Sequence, residues 1–272
     1  MNLIGAPDPV YVRARRGLLD ALQALGPHRK AVVLVGAQAI YLQAGESQEA
    51  LSSFTIDADL ALNPAELPDE PPLQAALSKA GFHRKEQPGL WFTPDGIEVD
   101  LLVPASLAGS GRRGVDLGPH HERTAAMRAS GLEAALVDNA PWPITALDAG
   151  DRRSFVIAVA GPAALTIAKL HKIGERIDRT PDRLKNKDAS DLFLLLRGTE
   201  TAVLAATLQR LRQEPATAAT AETALRYLRE HFTSEPGAGI ALLRSAVAGI
   251  EDEDTVAQSC IALAEDLLDA LD

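Results

Sequence analysis

Residues 32–62 read VVLVGAQAIYLQAGESQEALSSFTIDADLAL, and they contain the pattern of a strand, a tight turn, a helix and a second strand. The apolar, largely β-branched run over 32–35 predicts a buried strand. Gly36 interrupts that run, and the apolar positions after it predict a helix that reaches Gly45. Residues 52–62 predict the second strand, so the stretch is typical of a mixed α/β domain.

Two aspartates, Asp57 and Asp59, stand in the middle of this second strand. Aspartate is a poor strand former, and side chains two residues apart share a face, so the two carboxylates must lie side by side. A third carboxylate, Asp100, follows on residues 90–104, where the Asp95-Gly96 pair predicts the turn of a hairpin. A mixed sheet can place Asp100 beside the other two.

Clustered carboxylates repel one another unless a cation joins them. Mg²⁺ suits such a cluster because it prefers oxygen ligands and keeps waters that a phosphate-bearing substrate can displace, and Mn²⁺ is an alternative. We therefore predict a metal site formed by Asp57, Asp59 and Asp100. Gly36 adds a predicted phosphate site, since the free N–H groups at a helix start attract anions. Taken alone, an Asp-x-Asp pair is also common on surfaces and in turns.

The rest of the chain divides into two compositions. Helical spacing over 8–26 and 71–81, together with a strand and helix over 154–173, completes a mixed α/β half. The chain is then helical, with breaks at Gly198, at Pro236-Gly237 and after Gly249. This pattern predicts an α+β fold with a mixed α/β domain over 1–160 and a helical domain over 161–272.

The composition is that of a globular chain, with 272 residues, 46% hydrophobic and 24% charged. The first residues lack a basic segment followed by an apolar one, and no run of about 18 apolar residues occurs, which favours a cytoplasmic protein without a membrane partner. The single cysteine, Cys260, has no partner for an internal disulfide and is expected to be a small buried residue.

The net charge of −10 is unevenly distributed. Eight of the 37 acidic residues lie in 251–272, a segment without a basic residue, so the remainder carries 29 acidic and 27 basic residues. The stretch 169–187 has seven Lys and Arg against three Asp and Glu. It fits either a solvated helix and loop or a groove for phosphates.

The order of these motifs resembles the nucleotidyltransferase superfamily related to DNA polymerase β. The resemblance is carried by VGAQA at 35–39, TIDADLAL at 55–62 and IEVDLLV at 97–103. The stretches IAKLHKIGER at 167–176 and RLKNKDASDLFLLL at 183–196 resemble helical elements of the AbiEii and MenT toxin-like group. Together the matching stretches run from about residue 32 to residue 196.

The resemblance implies a role for individual residues, each at a position that matches a family motif. Asp57 and Asp59 would hold the metal, and Asp100 would help to activate the acceptor hydroxyl. Asp191 would orient Lys169 or another basic side chain, although Asp188 and Asp191 are also spaced to flank one helix face. Contacts to the triphosphate would come from Gly36, Ala37, Lys169, Lys172 and Lys187. Two positions depart from the family pattern: Ala37 stands where the family more often has Gly or Ser, and Ser53 stands where relatives of this group often have Arg.

The activity implied is transfer of a nucleoside monophosphate from an NTP to an acceptor hydroxyl. By the same resemblance the leading acceptor is the 3′ end of tRNA or another RNA, in a toxin–antitoxin or phage-defence context with a cognate antitoxin. The same chemistry also suits a protein hydroxyl or a small molecule. A non-catalytic member that senses a nucleotide or binds a partner is the alternative favoured by Ala37 and Ser53.

Overall fold

The computed structural model describes residues 8–44, 57–111 and 113–272. Gly45, Ser53 and residues 52–56 of the expected second strand therefore lie outside the described residues. Within the described part the fold is α+β, as the sequence predicts: a mixed sheet flanked by helices, followed by a helical C-terminal half.

The described residues contain eight strands that form one mixed sheet in the order β3-β4-β5-β2-β1-β8-β7, with β6 paired to the side of β5. Strand β2 is central: it runs antiparallel to β1 and parallel to β5. The strands are β1 (Val32–Val35), β2 (Ala58–Leu62), β3 (His83–Arg84), β4 (Leu90–Phe92), β5 (Glu98–Pro104), β6 (Met127–Ala129), β7 (Asn139–Thr145) and β8 (Ser154–Ala160).

Nine α-helices lie in the described residues, and short 3₁₀ helices occur at Gly26–Ala31, Ala105–Leu107, Glu133–Leu136 and Pro181–Arg183. No helix in this part of the chain is both long and apolar enough to cross a membrane. The helices are α1 (Pro9–Leu25), α2 (Gly36–Ala44), α3 (Leu73–Lys79), α4 (Pro162–Arg179), α5 (Asn186–Gly198), α6 (Thr201–Gln213), α7 (Ala218–Phe232), α8 (Ala238–Val247) and α9 (Glu253–Asp269).

The chain forms two compact units. Of the described residues, the first unit takes 8–38, 57–129 and 139–159, and the second takes 39–44, 130–138 and 160–272. The units are thus discontinuous in sequence, whereas the sequence pattern predicts two contiguous domains. Short segments join the helical unit because grouping in space depends on packing partners that lie far away along the chain.

The first unit is built on the sheet, against which α1 packs its apolar face. The predicted hairpin is confirmed: β4 and β5 are antiparallel, and Gly96 in the turn has a φ of +77° that glycine adopts without strain. Trp91 on β4 is fully buried and donates its indole N–H to the carbonyl of Ala125 at 2.8 Å. The hairpin thus pairs β4 with one edge of β5, whose other edge pairs with β2.

The second unit is a helical assembly in which α4 packs on α5 and α7, and α5 packs on α8. At Gly174 on α4, an added Cβ would overlap the ring of Tyr227 on α7, so the small residue allows the two helices to approach closely. Cys260 on α9 is buried as expected, and burial raises the pKa of its thiol to about 12.

Candidate active site

The turn between β1 and α2 lies against a predicted catalytic carboxylate. Gly36 has a φ of +67°, and an added Cβ there would overlap the carboxylate of Asp59, whose Cγ would be only 2.7 Å away. The contact arises because β1 and β2 are antiparallel with Val35 opposite Asp59. Glycine at this position thus lets the chain turn and leaves room for the carboxylate.

Asp59 and Asp100 occupy directly opposed positions on the parallel strands β2 and β5. Opposed residues on adjacent strands share a face, and the strands are separated by about 4.8 Å. Both side chains are half-buried. The structure therefore brings Asp59 and Asp100 together at the end of β1 where α2 begins, although the two residues lie far apart in sequence.

Asp57 lies one residue before the start of β2 and is half-buried. Its backbone carbonyl accepts a hydrogen bond from the amide of Gln38 at 3.1 Å. The sequence pattern predicts Asp57 in the middle of the strand, but β2 begins only at Ala58, so the alternation of side chains in the strand does not include Asp57. The catalytic roles of Asp57, Asp59 and Asp100 remain predictions.

The oxygen donors of these aspartates are of the type that Mg²⁺ and Mn²⁺ bind. Within the described residues, however, no group of three or more His, Cys, Asp or Glu side chains is close enough to hold a metal ion as it stands. The register-paired carboxylates of Asp59 and Asp100 fit two of the expected ligands. A ligand set completed by Asp57 remains a prediction.

The first turn of α2 is the predicted phosphate contact. Ala37, its second residue, is 5% exposed and offers a backbone N–H but no hydroxyl. The helix has nine residues and begins at the same turn that contacts Asp59. Backbone N–H groups at a helix start favour anions, so this geometry is compatible with a triphosphate beside Asp59.

The second unit contains a buried ionic cluster around Lys169. Its ammonium group, on α4, donates to Asp188 Oδ1 at 2.8 Å and to Asp191 Oδ2 at 2.6 Å, and the residue is 6% exposed. The contact between Lys169 and Asp191 is thus present, whereas a role of Asp191 in orienting Lys169 for catalysis stays a prediction. The predicted contact of Lys169 with a phosphate remains a prediction, and the ammonium group already has two carboxylate partners.

Three further cations contact the same carboxylates. Lys187 donates to both oxygens of Asp191 at 2.9 Å, and Arg176 donates to Asp188 Oδ2 at 2.8 Å. The Lys172 ammonium lies 3.3 Å from Asp188 Oδ1. The cluster thus contains four cations and two carboxylates, an excess of positive charge that suits an anionic ligand.

Burial and charge act in opposite directions on the pKa values of the cluster. Burial disfavours the ammonium of Lys169, but the charges of Asp191 and Asp188 outweigh it and raise the pKa. Burial likewise disfavours the carboxylate of Asp188, yet Lys169, Lys172 and Arg176 hold its pKa well below the usual range. For Lys187 burial is the stronger influence and lowers the pKa, despite the charge of Asp191.

Two buried polar residues close to the aspartates are absent from the sequence-based predictions. Arg15 on α1 is 3% exposed and Gln38 on α2 is 1% exposed, and the arginine Nε donates to the glutamine Oε1 at 3.3 Å. A sequence signal for Arg15 exists, since it lies four residues after Tyr11 and three before Leu18, on the apolar face of α1. A charged residue on such a face indicates a buried polar contact.

Comparison with known proteins identifies one family. A family model described as nucleotidyltransferase matches residues 14–224, which include the sheet, the aspartates and the Lys169 cluster. No curated protein and no solved structure matches the chain.

Proposed function

Because the chain belongs to the nucleotidyltransferase family, we propose that it is a metal-dependent enzyme that transfers a nucleoside monophosphate from an NTP to an acceptor hydroxyl. Membership of the family supports nucleotidyl transfer in general. The observation that carries the proposal is the contact of the Gly36 turn with Asp59, which lies directly opposite Asp100. This geometry places a helix start and two carboxylates at one end of the sheet.

In the proposed reaction the acceptor oxygen attacks the α-phosphorus of the NTP, the bond to the β-phosphate breaks, and pyrophosphate leaves. The backbone N–H groups at the start of α2 bind and orient the triphosphate. The Asp100 carboxylate receives a hydrogen bond from the acceptor hydroxyl and takes its proton. Asp57, Asp59 and Asp100 would hold Mg²⁺ or Mn²⁺, which when bound neutralises charge on the phosphates and the leaving group.

RNA is the leading acceptor class in this proposal. Arg179, Arg183 and Lys185 lie in the basic stretch of the second unit, are exposed, and form no salt bridge within the described residues. Cations that are not held in a salt bridge are available to phosphates. Resemblance to the AbiEii and MenT group extends the proposal to the 3′ end of tRNA and to a toxin–antitoxin or phage-defence role with a cognate antitoxin. A cytoplasmic location is part of the same proposal.

The proposal is tested by incubating the protein and Mg²⁺ with each radiolabelled NTP and, in turn, total RNA, cell lysate protein or small-molecule extract. Label in RNA is the expected result. Label in a protein or in a small molecule would instead identify that molecule as the acceptor. The paired variant Asp57→Asn/Asp59→Asn should lose transfer and the metal-dependent thermal stabilisation by NTP, because the metal ligands are removed while their shape is kept.

The matched control is Asp266→Asn/Asp269→Asn, which removes the same charge from exposed positions on α9. It should retain parental transfer. If the Asp57→Asn/Asp59→Asn protein still transfers a nucleotide, the proposed active site is wrong.

A second candidate is a member that binds a nucleotide without transferring it. Two observations favour it: Ala37 stands where the family pattern has Gly or Ser, and no three-carboxylate metal group is assembled among the described residues. A parent protein that is stabilised by an NTP but labels no acceptor would establish this candidate.

A further inference from the structure

The backbone at Asp57 lies beyond the last pair of both neighbouring strands. The pairing of β1 with β2 ends at Val35 and Asp59, and the pairing of β2 with β5 begins at Ala58 and Val99. Strand β1 cannot extend to Asp57 because the chain leaves the sheet at Gly36 and enters α2. A group outside these two strands can therefore hold the backbone of Asp57 beside the end of the sheet.

Gln38 supplies such a group. Its side-chain amide nitrogen donates to the carbonyl of Asp57 at 3.1 Å and to the carbonyl of Ala14 on α1 at 3.1 Å. Gln38 is the third residue of α2, so one side chain links the first turn of this helix, helix α1 and the chain entering β2. The Gln38 side chain is buried, so its amide has little contact with water as a competing partner.

Arg15 fixes the orientation of that amide. A guanidinium only donates hydrogen bonds, so the Gln38 oxygen must face Arg15 Nε, and the amide nitrogen then faces the two carbonyls, which only accept. The guanidinium is itself held by the Thr145 carbonyl at 3.1 Å and the Tyr11 phenol oxygen at 2.6 Å. The Gln38 amide is therefore held in one orientation by groups that cannot exchange roles.

We propose that Gln38, oriented by Arg15, is a positioning residue that sets the backbone of Asp57 and thereby aims its carboxylate at the metal beside Asp59. The inference rests on the proposed function, since it assigns Asp57 to the metal site. Outer groups that orient metal ligands typically change metal affinity about 10-fold to 100-fold when they are removed. Gln38 and Arg15 touch neither the nucleotide nor the reacting atoms in this proposal.

The test compares Gln38→Met and Gln38→Asn with Gln43→Met. Methionine keeps the length of the side chain but not its hydrogen bonds, whereas asparagine keeps an amide that is too short to reach Asp57. Gln43 is half-buried on the same helix and donates one hydrogen bond to the Ala160 carbonyl at 2.9 Å. Its replacement controls for the loss of a hydrogen-bonded glutamine from this helix.

Binding of Mn²⁺ is measured by electron paramagnetic resonance without nucleotide, and nucleotidyl transfer is measured as a function of Mg²⁺ and NTP. We expect both Gln38 variants to bind Mn²⁺ about 10-fold or more weakly and to need correspondingly more Mg²⁺ for transfer. At saturating Mg²⁺ the KM for NTP should change little, because the backbone groups of α2 remain. Loss of a residue that merely supports the fold would weaken Mn²⁺ binding and NTP binding together.

Four results would contradict the inference. Parental Mn²⁺ affinity in either folded Gln38 variant would show that Gln38 does not position Asp57. An equal loss in Gln43→Met would assign the effect to the helix as a whole. A parent that transfers a nucleotide while the variants match it overturns only the role of Gln38, whereas a parent that neither binds Mn²⁺ nor transfers overturns the proposed function as well.

Discussion

Two structural constraints favour glycine at position 36, and the local sequence indicates only one of them. Its positive φ is the first, because a side chain in this region costs about 1–2 kcal/mol. The second is the space occupied by the Asp59 carboxylate, which a Cβ would displace. The turn and the predicted metal ligand therefore cannot change independently.

Replacing Gly36 with Ala should lower the free energy of unfolding by more than the backbone strain of about 1–2 kcal/mol, and it should abolish transfer by displacing Asp59. Gly26→Ala is the control, since Gly26 also has a positive φ, of +53°, but an added Cβ there meets no atom within 4 Å. Urea unfolding and the labelling assay measure both effects. Parental transfer by Gly36→Ala would show that the contact with Asp59 is dispensable.

The segment between β2 and α3 is held by two buried histidines. His28 Nε2 donates to the Pro71 carbonyl at 2.7 Å. His121 Nδ1 accepts from the backbone N–H of Leu73 at 3.1 Å, and its Nε2 donates to the Pro68 carbonyl at 3.1 Å. The two contacts of His121 require a neutral ring with its proton on Nε2, because Nδ1 accepts a hydrogen bond. The contact of His28 requires a proton on Nε2, which a neutral ring can also supply. The start of α3 is thus fixed by neutral histidines.

His28 makes the stability of this segment depend on pH. Burial lowers its pKa below the ordinary value, and its Nδ1 has no hydrogen-bond partner among the described residues. A histidine with a lowered folded pKa contributes fully above its unfolded pKa of about 6.5, and the contribution is lost as the pH falls toward the folded value. We expect a lower free energy of unfolding at pH 5.5 than at pH 7.5.

The variant His28→Gln should be less stable than the parent at pH 7.5 but should show a smaller decrease between pH 7.5 and pH 5.5. Part of the decrease should remain, because burial also lowers the pKa of His231. His83→Gln replaces an exposed imidazole and should keep the parental pH dependence. Urea midpoints at the two pH values measure the decrease. If His28→Gln loses as much stability between pH 7.5 and pH 5.5 as the parent does, His28 does not have this role.

The charged residues are concentrated in two stretches of the sequence, one acidic and one basic. Helix α9 and the residues that flank it carry eight acidic residues, while the basic stretch lies on α4, α5 and the segment between them. In that stretch Lys172 and Arg176 contact Asp188, so their positive charge is already partly neutralised. Arg179, Arg183 and Lys185 are the positions at which RNA phosphates would meet cations that form no salt bridge in the described chain.

Changing Arg179, Arg183 and Lys185 together to Gln should weaken RNA binding and flatten its dependence on salt, by about 0.7 in the logarithmic slope for each phosphate that the variant no longer neutralises. NTP binding should be nearly unchanged. The matched control changes Arg210, Arg226 and Arg229 on α6 and α7 to Gln. This control variant loses the same three positive charges. Filter binding at several salt concentrations measures the slopes. Equal weakening by both triple variants would indicate a general charge effect rather than a binding surface.

Local signals in the sequence predict most of the elements and the order of the motifs. The strand, turn and helix around Gly36, the hairpin at Asp95-Gly96 and the helical C-terminal half were all predictable, because side-chain periodicity and turn residues act within a few positions along the chain. The same local signals placed Asp59 and Asp100 on strands, whereas the prediction that Asp57 lies within the second strand was wrong, because β2 begins at Ala58. The family resemblance supplied the pairing of Lys169 with Asp191, which periodicity does not reveal.

Which distant residues become neighbours depends on the packing of the folded chain. The register that sets Asp59 opposite Asp100, the burial of Arg15, and the contacts of His28 and His121 join residues far apart in sequence, as Arg15 and Thr145 are. Such contacts depend on how strands pair and which polar groups lose water, and both follow from the packing of the whole unit. A local pattern contains no information about a partner 130 residues away.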